Sequence, residues 1–141
     1  MAWITPITDW DATDYYNFHV DLDRVENNTD YLDDYFSSLG YTSGISSIVM
    51  ERDNTSLVYY DDMDRIEGNI RKLKDCAFTP LTWETPNEAW ESAKTTFDYN
   101  VTNRLEKNLL GLKTMIDNIA ASLLYCGDSM TTICGKENTL F

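Results

Sequence analysis

Histidine occurs once, at His19, and cysteine three times, at Cys76, Cys126 and Cys134. The cysteine count is odd, no C-x-x-C pair occurs, and a single imidazole cannot complete a tetrahedral metal centre. Neither a metal site nor a disulfide scaffold is expected; three reduced, mostly buried thiols are. The chain has no G-x-S-x-G, no P-loop and no G-x-G-x-x-G, so it lacks the nucleophile elbow and the phosphate-cradling loops. No catalytic residue and no cofactor are expected. Basic residues are scarce, 11 Lys and Arg against 24 Asp and Glu, for a formal charge of −13. Such a field repels phosphate and so argues against nucleic acid and anionic membrane surfaces as partners. No apolar run approaches the ~18 residues of a membrane span. The opening Met-Ala-Trp-Ile-Thr-Pro has neither a basic region nor an apolar stretch, so no secretory signal is expected there.

What the chain does have is anchoring surface. Apolar residues make up 43% and aromatics 13%, with four Trp, nine Tyr and five Phe. That is too much for a disordered tail. A length of 141 residues fits one domain, and such a chain buries roughly 68–70% of the surface its unfolded form exposes.

The chain repeats itself. Asp23-Arg24-Val25-Glu26-Asn27-Asn28 with Leu32 matches Asp64-Arg65-Ile66-Glu67-Gly68-Asn69 with Leu73, and Asn103-Arg104-Leu105-Glu106-Lys107-Asn108 with Leu112. The shared core is [D/N]-R-[V/I/L]-E-x-N-x3-L, at offsets of 41 and 39 residues. Trp3-Ile4-Thr5-Pro6 with Trp10 recurs as Trp83-Glu84-Thr85-Pro86 with Trp90, at an offset of 80, the sum of the other two. Two signals in one register define three copies, about 1–40, 41–80 and 81–123, with a tail over 124–141. The middle copy has no tryptophan; Gly44 and Glu51 fall at those positions.

Each copy carries a helix. Apolar residues alternate by three and four at Phe18, Leu22, Val25, Leu32, Phe36 and Leu39, with Thr29 in the polar slot. The second series is Tyr59, Met63, Ile66, Ile70, Leu73 and Ala77; the third is Leu105, Leu109, Leu112, Ile116, Ile119 and Leu123. This is the seam of helices packed side by side. The spacing predicts helices over about 18–38, 58–77 and 98–125. Asn17, Ser56 and Asp98 are candidate N-caps, and Gly40 and Gly127 candidate stops. Thr85-Pro86-Asn87-Glu88 has a capping-box shape that predicts a short helix over 86–94. Ile45 to Met50 reads as extended.

The expected fold is therefore all-α: one domain, three long helices from three repeats of about 40 residues, and long irregular connections. About 20 residues separate successive long helices, whereas antiparallel neighbours usually need only about 2–8. Twenty extended residues reach ~66 Å, more than the ~30 Å length of a 20-residue helix. Three parallel helices around a pseudo-threefold axis and an up-down bundle with long loops both fit.

The repeated Arg24-x-Glu26-x-Asn28, Arg65-x-Glu67-x-Asn69 and Arg104-x-Glu106-x-Asn108 put like polar groups at one level of all three helices. They are read mainly as structural, holding the incoming Trp-Thr-Pro segment, with a register-setting layer or docking surface as the functional alternative. Asp21–Arg24 and Asp62–Arg65 are i,i+3 pairs of modest worth. Trp3, Trp10, Trp83 and Trp90, beside Pro6 and Pro86, are expected to cover their own core rather than serve as binding anchors. Asp9, Asp11 and Asp14 lack the Gly and terminal Glu of a calcium loop and read as a solvated face.

Residues 3–10, Trp-x-Thr-Pro-x-Thr-Asp-Trp, followed by Asp21-Leu22-Asp23-Arg24-Val25-Glu26-Asn27-Asn28, resemble a motif of virion structural proteins. Those proteins occur in tailed phages and prophages of Gram-positive bacteria, often at the tail tip or baseplate, where a W-x-x-P-K-T-x-W arm leads into F-N-x-x-D-L-N-R-I-E-x-N. The resemblance covers most of 1–36, recurs over 83–112, and over 58–73 without the arm. This chain departs in Ile7 where Lys is usual, and in Asp23 and Asp64 for the Asn before Arg. The resemblance implies a non-enzymatic virion component, assembled in the host cytoplasm. Its partners would be other virion proteins, and it would be placed in multiple copies around a symmetric tail or capsid. A small acidic inhibitor that mimics DNA is the alternative, since a charge of −13 along helices can imitate phosphate spacing. Against it, the acids cluster locally, as at Asp30/Asp33/Asp34 and Asp61/Asp62/Asp64.

Overall fold

A computed structural model of the chain describes residues 2–16, 18–53, 55–93 and 97–129. Among them every regular element is helical, and no strand occurs. A π-helical turn, Phe18–Leu22, runs into α1 (Asp23–Ser38). Then follow α2 (Tyr60–Asp75), the single turn α3 (Trp90–Ala93), and α4 (Tyr99–Ser129). No helix is long and apolar enough to cross a membrane among the described residues.

The helix ends follow local hydrogen bonding. Leu39 and Gly40 close α1, with Gly40 in the left-handed region at φ 93°, a conformation glycine adopts without steric cost. α2 starts later than its apolar spacing predicts. Its N-cap is Tyr59, whose N–H donates to Asp62 Oδ2 at 2.9 Å. Ser56 instead closes a turn on Asp53, so it caps no helix, and Tyr59 of the expected seam is exposed. Asp98 does cap α4, accepting from the Asn100 and Val101 amides. Gly127 does not stop α4, which continues to Ser129. The short helix begins at Trp90 rather than beside Pro86. The chain there is kept extended, because Asn108 holds Glu84 and Arg71 takes the Glu88 carboxylate. Asn17, the tail beyond Ser129 and with it Cys134 lie outside the described residues.

α1, α2 and α4 pack on one another around a single core. Leu22, Val25, Leu32 and Phe36 meet Met63, Ile66, Ile70 and Leu73, and Leu105, Leu109, Leu112 and Ile116, all almost fully buried. Each such side chain contributes about 1.5–3 kcal/mol by leaving water. Thr29, the polar member of the seam, is satisfied by donating its hydroxyl to the Val25 carbonyl. The seam frays at its far end, where Ile119 is half-buried and Leu123 is exposed.

The helices run in one direction. Arg24 meets Glu106, and eleven residues further along both helices Tyr35 Oη donates to Asp117 Oδ1. Glu67 meets Arg104, and Pro80 and Thr82, just past the end of α2, lie against Gly111, further along α4. The long connections are the return paths that this arrangement needs, and they lie on the outside of the helices as extended arms.

Candidate functional site

The three motif arginines and glutamates pair in a closed cycle. Arg24 of α1 binds Glu106 of α4 through Nε and Nη2, both at 2.7 Å. Arg104 of α4 binds Glu67 of α2 in the same bidentate way, at 2.8 and 2.7 Å. Arg65 of α2 closes the cycle on Glu26 of α1, through Nη1 and Nη2. Each helix thus gives an Arg to one neighbour and a Glu to the other. The carboxylates are fully buried, with Glu26, Glu67 and Glu106 at 1%, 1% and 0% exposure, so they sit at one depth.

Buried ion pairs add little net stability over apolar replacements of the same shape, but removing one partner costs about 3–5 kcal/mol. Sliding one helix past another would separate the pairs, so the ring fixes helix register. Burial opposes the charge on Arg24. Hydrogen bonds and charge from Glu106 and then Asp21 outweigh that opposition and hold its pKa above the ordinary arginine value. The same balance, with Glu26 and Asp23 as partners, raises Arg52. Burial, and next the Glu106 charge, push the Tyr16 hydroxyl well above the usual tyrosine range.

The motif asparagines clamp the arms. Asn28 accepts from the Ile4 amide at 3.0 Å and donates to the Ile4 carbonyl at 2.7 Å. Asn108 treats Glu84 alike, at 2.8 Å for both bonds. Asn69 does so at Ser46, at 2.7 and 3.3 Å. A primary amide carries a donor and an acceptor side by side and so satisfies both backbone groups of one extended residue. This is the holding role expected of the triplet.

Each arm then crosses to the preceding helix in the cycle. The Trp10 indole donates to Glu106 at 2.9 Å, and the Ile7 amide joins it there at 3.1 Å. The Trp90 indole donates to Glu67 at 2.9 Å. On Glu26 the corresponding donors are the Val49 amide and the Arg52 guanidinium. Each glutamate therefore serves the arm of the following copy, not the arm that enters its own helix. Both oxygens of every ring carboxylate are engaged.

The arm register corrects the assignment of the middle copy. Ser46 occupies the clamp that Ile4 and Glu84 occupy, so Ile45 and Arg52, not Gly44 and Glu51, stand in the tryptophan positions. The step between arms one and two is 42 residues, while the helix step is 41. One residue fewer lies between clamp and Asn in the middle copy. Sequence reasoning therefore missed Arg52, and it also missed the residue before each motif Arg. Asn103 accepts the Trp10 amide and donates to its carbonyl, both at 2.9 Å. Asp23 accepts the Arg52 amide at 2.9 Å, and Asp64 the Trp90 amide at 3.0 Å. The signal was present as the [D/N] of the repeated motif.

The outer tryptophans follow the same logic. Lys113 lies over the Trp3 ring at 5.5 Å and Lys74 over Trp83 at 5.4 Å. In the middle copy Ile45 replaces the ring and Asp33 replaces the Lys, accepting a hydrogen bond from Ser43 instead. Trp90 is 2% exposed, Trp3 and Trp83 are half-buried against the core, and Trp10 is half-buried with its ring 5.0 Å from that of Tyr16. Pro6 is buried and Pro86 half-buried. Of the two i,i+3 pairs, Asp21–Arg24 forms at 2.8 Å and is buried, whereas Asp62–Arg65 is long at 3.9 Å. Asp11 spends its carboxylate on Thr13, in an exposed turn.

Taken together, the motif residues define a helical bundle whose extended connections are pinned by buried side-chain clamps. No protein-family model, no curated protein and no solved structure matches the chain.

Proposed function

We propose that the chain is a non-enzymatic structural subunit, three repeats arranged about a pseudo-threefold axis as a rigid scaffold. We further propose that it serves in a virion of the tailed-phage type, as an adaptor of the tail or baseplate acting through protein–protein contacts. The observation that carries the scaffold reading is the cycle Arg24–Glu106, Arg104–Glu67, Arg65–Glu26. Cyclic exchange of the three helices carries each pair onto the next, which is the pairing a threefold arrangement calls for. A carboxylate held by three or four donors is a fixed acceptor rather than a general base or an open ligand, so the recurring motif is spent on architecture. The virion assignment rests on the tryptophan-arm and helix motif, whose recurring Trp, Arg, Glu and Asn residues are the ones that build this scaffold.

Mass spectrometry of particles purified from the producing host tests the assignment. A structural subunit is present in a fixed stoichiometric ratio to the other virion proteins. Its absence from particles, together with inhibition of a nuclease or polymerase by the purified chain, would establish the acidic-inhibitor reading instead.

A further inference from the structure

An open groove of about 940 Å³ lies on the outer face of α4. It is bounded by the segment from Phe78 to Glu84 on one side and Thr8 on the other. Its walls include Phe78, Leu81, Leu110, Met115 and Ile119, of which Leu81, Phe78 and Leu110 are exposed to solvent.

The repeat supplies an internal comparison. The α4 face carries Lys107, Leu110, Gly111 and Thr114; the matching positions are Asn27, Asp30, Tyr31 and Asp34 on α1, and Gly68, Arg71, Lys72 and Asp75 on α2. The α1 face carries two charges and the α2 face three, as surfaces facing water do, whereas the α4 face carries one, Lys107, beside the exposed Leu110. Scattered exposed apolar residues need no explanation, whereas a contiguous patch in a groove marks an interaction surface.

We propose that this groove is the contact through which two copies of the chain associate. Charge selects a second copy as the occupant. A net charge of −13 opposes self-association over most of the surface. α1 carries five acids against one base, and α2 five against four, but in α4 Arg104, Lys107 and Lys113 balance Glu106, Asp117 and Asp128. α4 is thus the long helix whose charges cancel, the setting in which two copies meet with least like-charge repulsion. The rim is self-complementary as well. Lys107 and Glu84 stand on it 3.9 Å apart, both about half exposed and only loosely paired within the chain. A two-fold contact is isologous, so an axis passing beside this pair sets the Lys107 of each copy against the Glu84 of the other.

Sedimentation velocity of the full chain over the micromolar range tests this. A monomer–dimer equilibrium is expected, weakened roughly tenfold or more by Leu110→Glu or Leu81→Glu. Asp34→Asn on the matching face of α1 leaves it unchanged. Circular dichroism of each variant confirms that the helices are retained; should Leu110→Glu unfold, Thr114→Arg on the exposed rim replaces it. The decisive arm is a charge exchange. Lys107→Glu and Glu84→Lys each dimerise poorly alone, yet the two variants mixed form a heterodimer, because both rim pairs are then opposite in sign. A chain that stays monomeric throughout overturns the proposal, as does a dimer indifferent to these substitutions. Dimerisation that appears only after removal of residues 130–141 also overturns it, since the chain's own end would then fill the groove.

Discussion

Arg52 donates its guanidinium to Glu26 at the point where Glu67 and Glu106 receive the indoles of Trp90 and Trp10. An indole brings a neutral donor; a guanidinium brings a charge into a site already holding Arg65. Asp23 takes that second charge, binding Arg52 Nη1 at 2.7 Å; the corresponding residues, Asn103 on α4 and Asp64 on α2, accept only the Trp10 and Trp90 amides from their arms' donors. The middle copy thus keeps the geometry of the cycle while exchanging one chemistry for another, and the compensating acid lies on the helix that receives the arm.

Glu67→Gln removes the charge that Arg104 binds and turns one oxygen into a donor facing the guanidinium or the Trp90 indole. A charge-assisted bond of this kind is worth roughly 1.5–3 kcal/mol. Asp64→Asn keeps an acceptor for the Trp90 amide and is expected to cost under about 1 kcal/mol. Urea denaturation of the two variants should separate them in that order; equal, near-zero losses would strip the ring of its structural role.

Asn108→Asp keeps the acceptor for the Glu84 amide but sets a carboxylate oxygen against the Glu84 carbonyl. The expected loss is about 1–3 kcal/mol, the cost of an unmet buried polar group. Asn108→Ala removes both clamp bonds to Glu84 and leaves the arm held by Trp90 and Glu88. Amide hydrogen exchange at Glu84 should accelerate in Asn108→Ala, while exchange in the middle of α1 changes only with global stability.

Asp30 is raised above the ordinary aspartate value, by burial first and then by the charges of Asp34 and Asp33. A raised folded-state pKa means that stability is fully present below the unfolded value and is lost as pH rises through the folded one. At neutral pH the ionised Asp30 is therefore a cost. Asp30→Asn should raise the melting temperature at pH 7, and the advantage should vanish below about pH 3.8, where wild-type Asp30 is itself protonated. An unchanged difference across that range would refute the assignment.

Glu51 holds a left-handed backbone, φ 63°, at the residue that turns the arm so that Arg52 points inward. That conformation costs a non-glycine residue roughly 1–2 kcal/mol. Glycine relieves it but adds about 0.5–1 kcal/mol of unfolded-state entropy. Glu51→Gly should thus be stabilising by up to about 1 kcal/mol, and Glu51→Val clearly destabilising, as read by thermal melts.

Much of this protein is written locally. The three-and-four spacing of Leu22, Val25, Leu32 and Phe36, and of its two counterparts, produces the helices and the buried seam, because a helix presents those positions on one side whatever surrounds it. The recurrence of Arg-x-Glu-x-Asn marked the polar residues that matter, and the asparagine clamps do what a side chain with a paired donor and acceptor does beside an extended strand of chain. Gly40 and Asp98 act where their backbone preferences put them. Sequence overreached where termini were argued from single residues. Gly127 sits within a helix whose hydrogen bonds continue, Ser56 is taken up by a local turn on Asp53, and Pro86 lies in a segment held by distant partners.

Only the tertiary structure decided which partners meet. Arg24 and Glu106 are 82 residues apart, and three arginines facing three glutamates allow several pairings that spacing alone cannot rank. Packing three helices in one direction selects the cyclic pairing. The identity of Arg52 as the stand-in for tryptophan was hidden for a related reason. One residue is missing between clamp and helix in the middle copy, and an arm without tryptophans carries no landmark to reveal the shift. Helix periodicity belongs to the backbone and is local, whereas the register of an extended arm is set by the side chains that grip it, and those come from other helices.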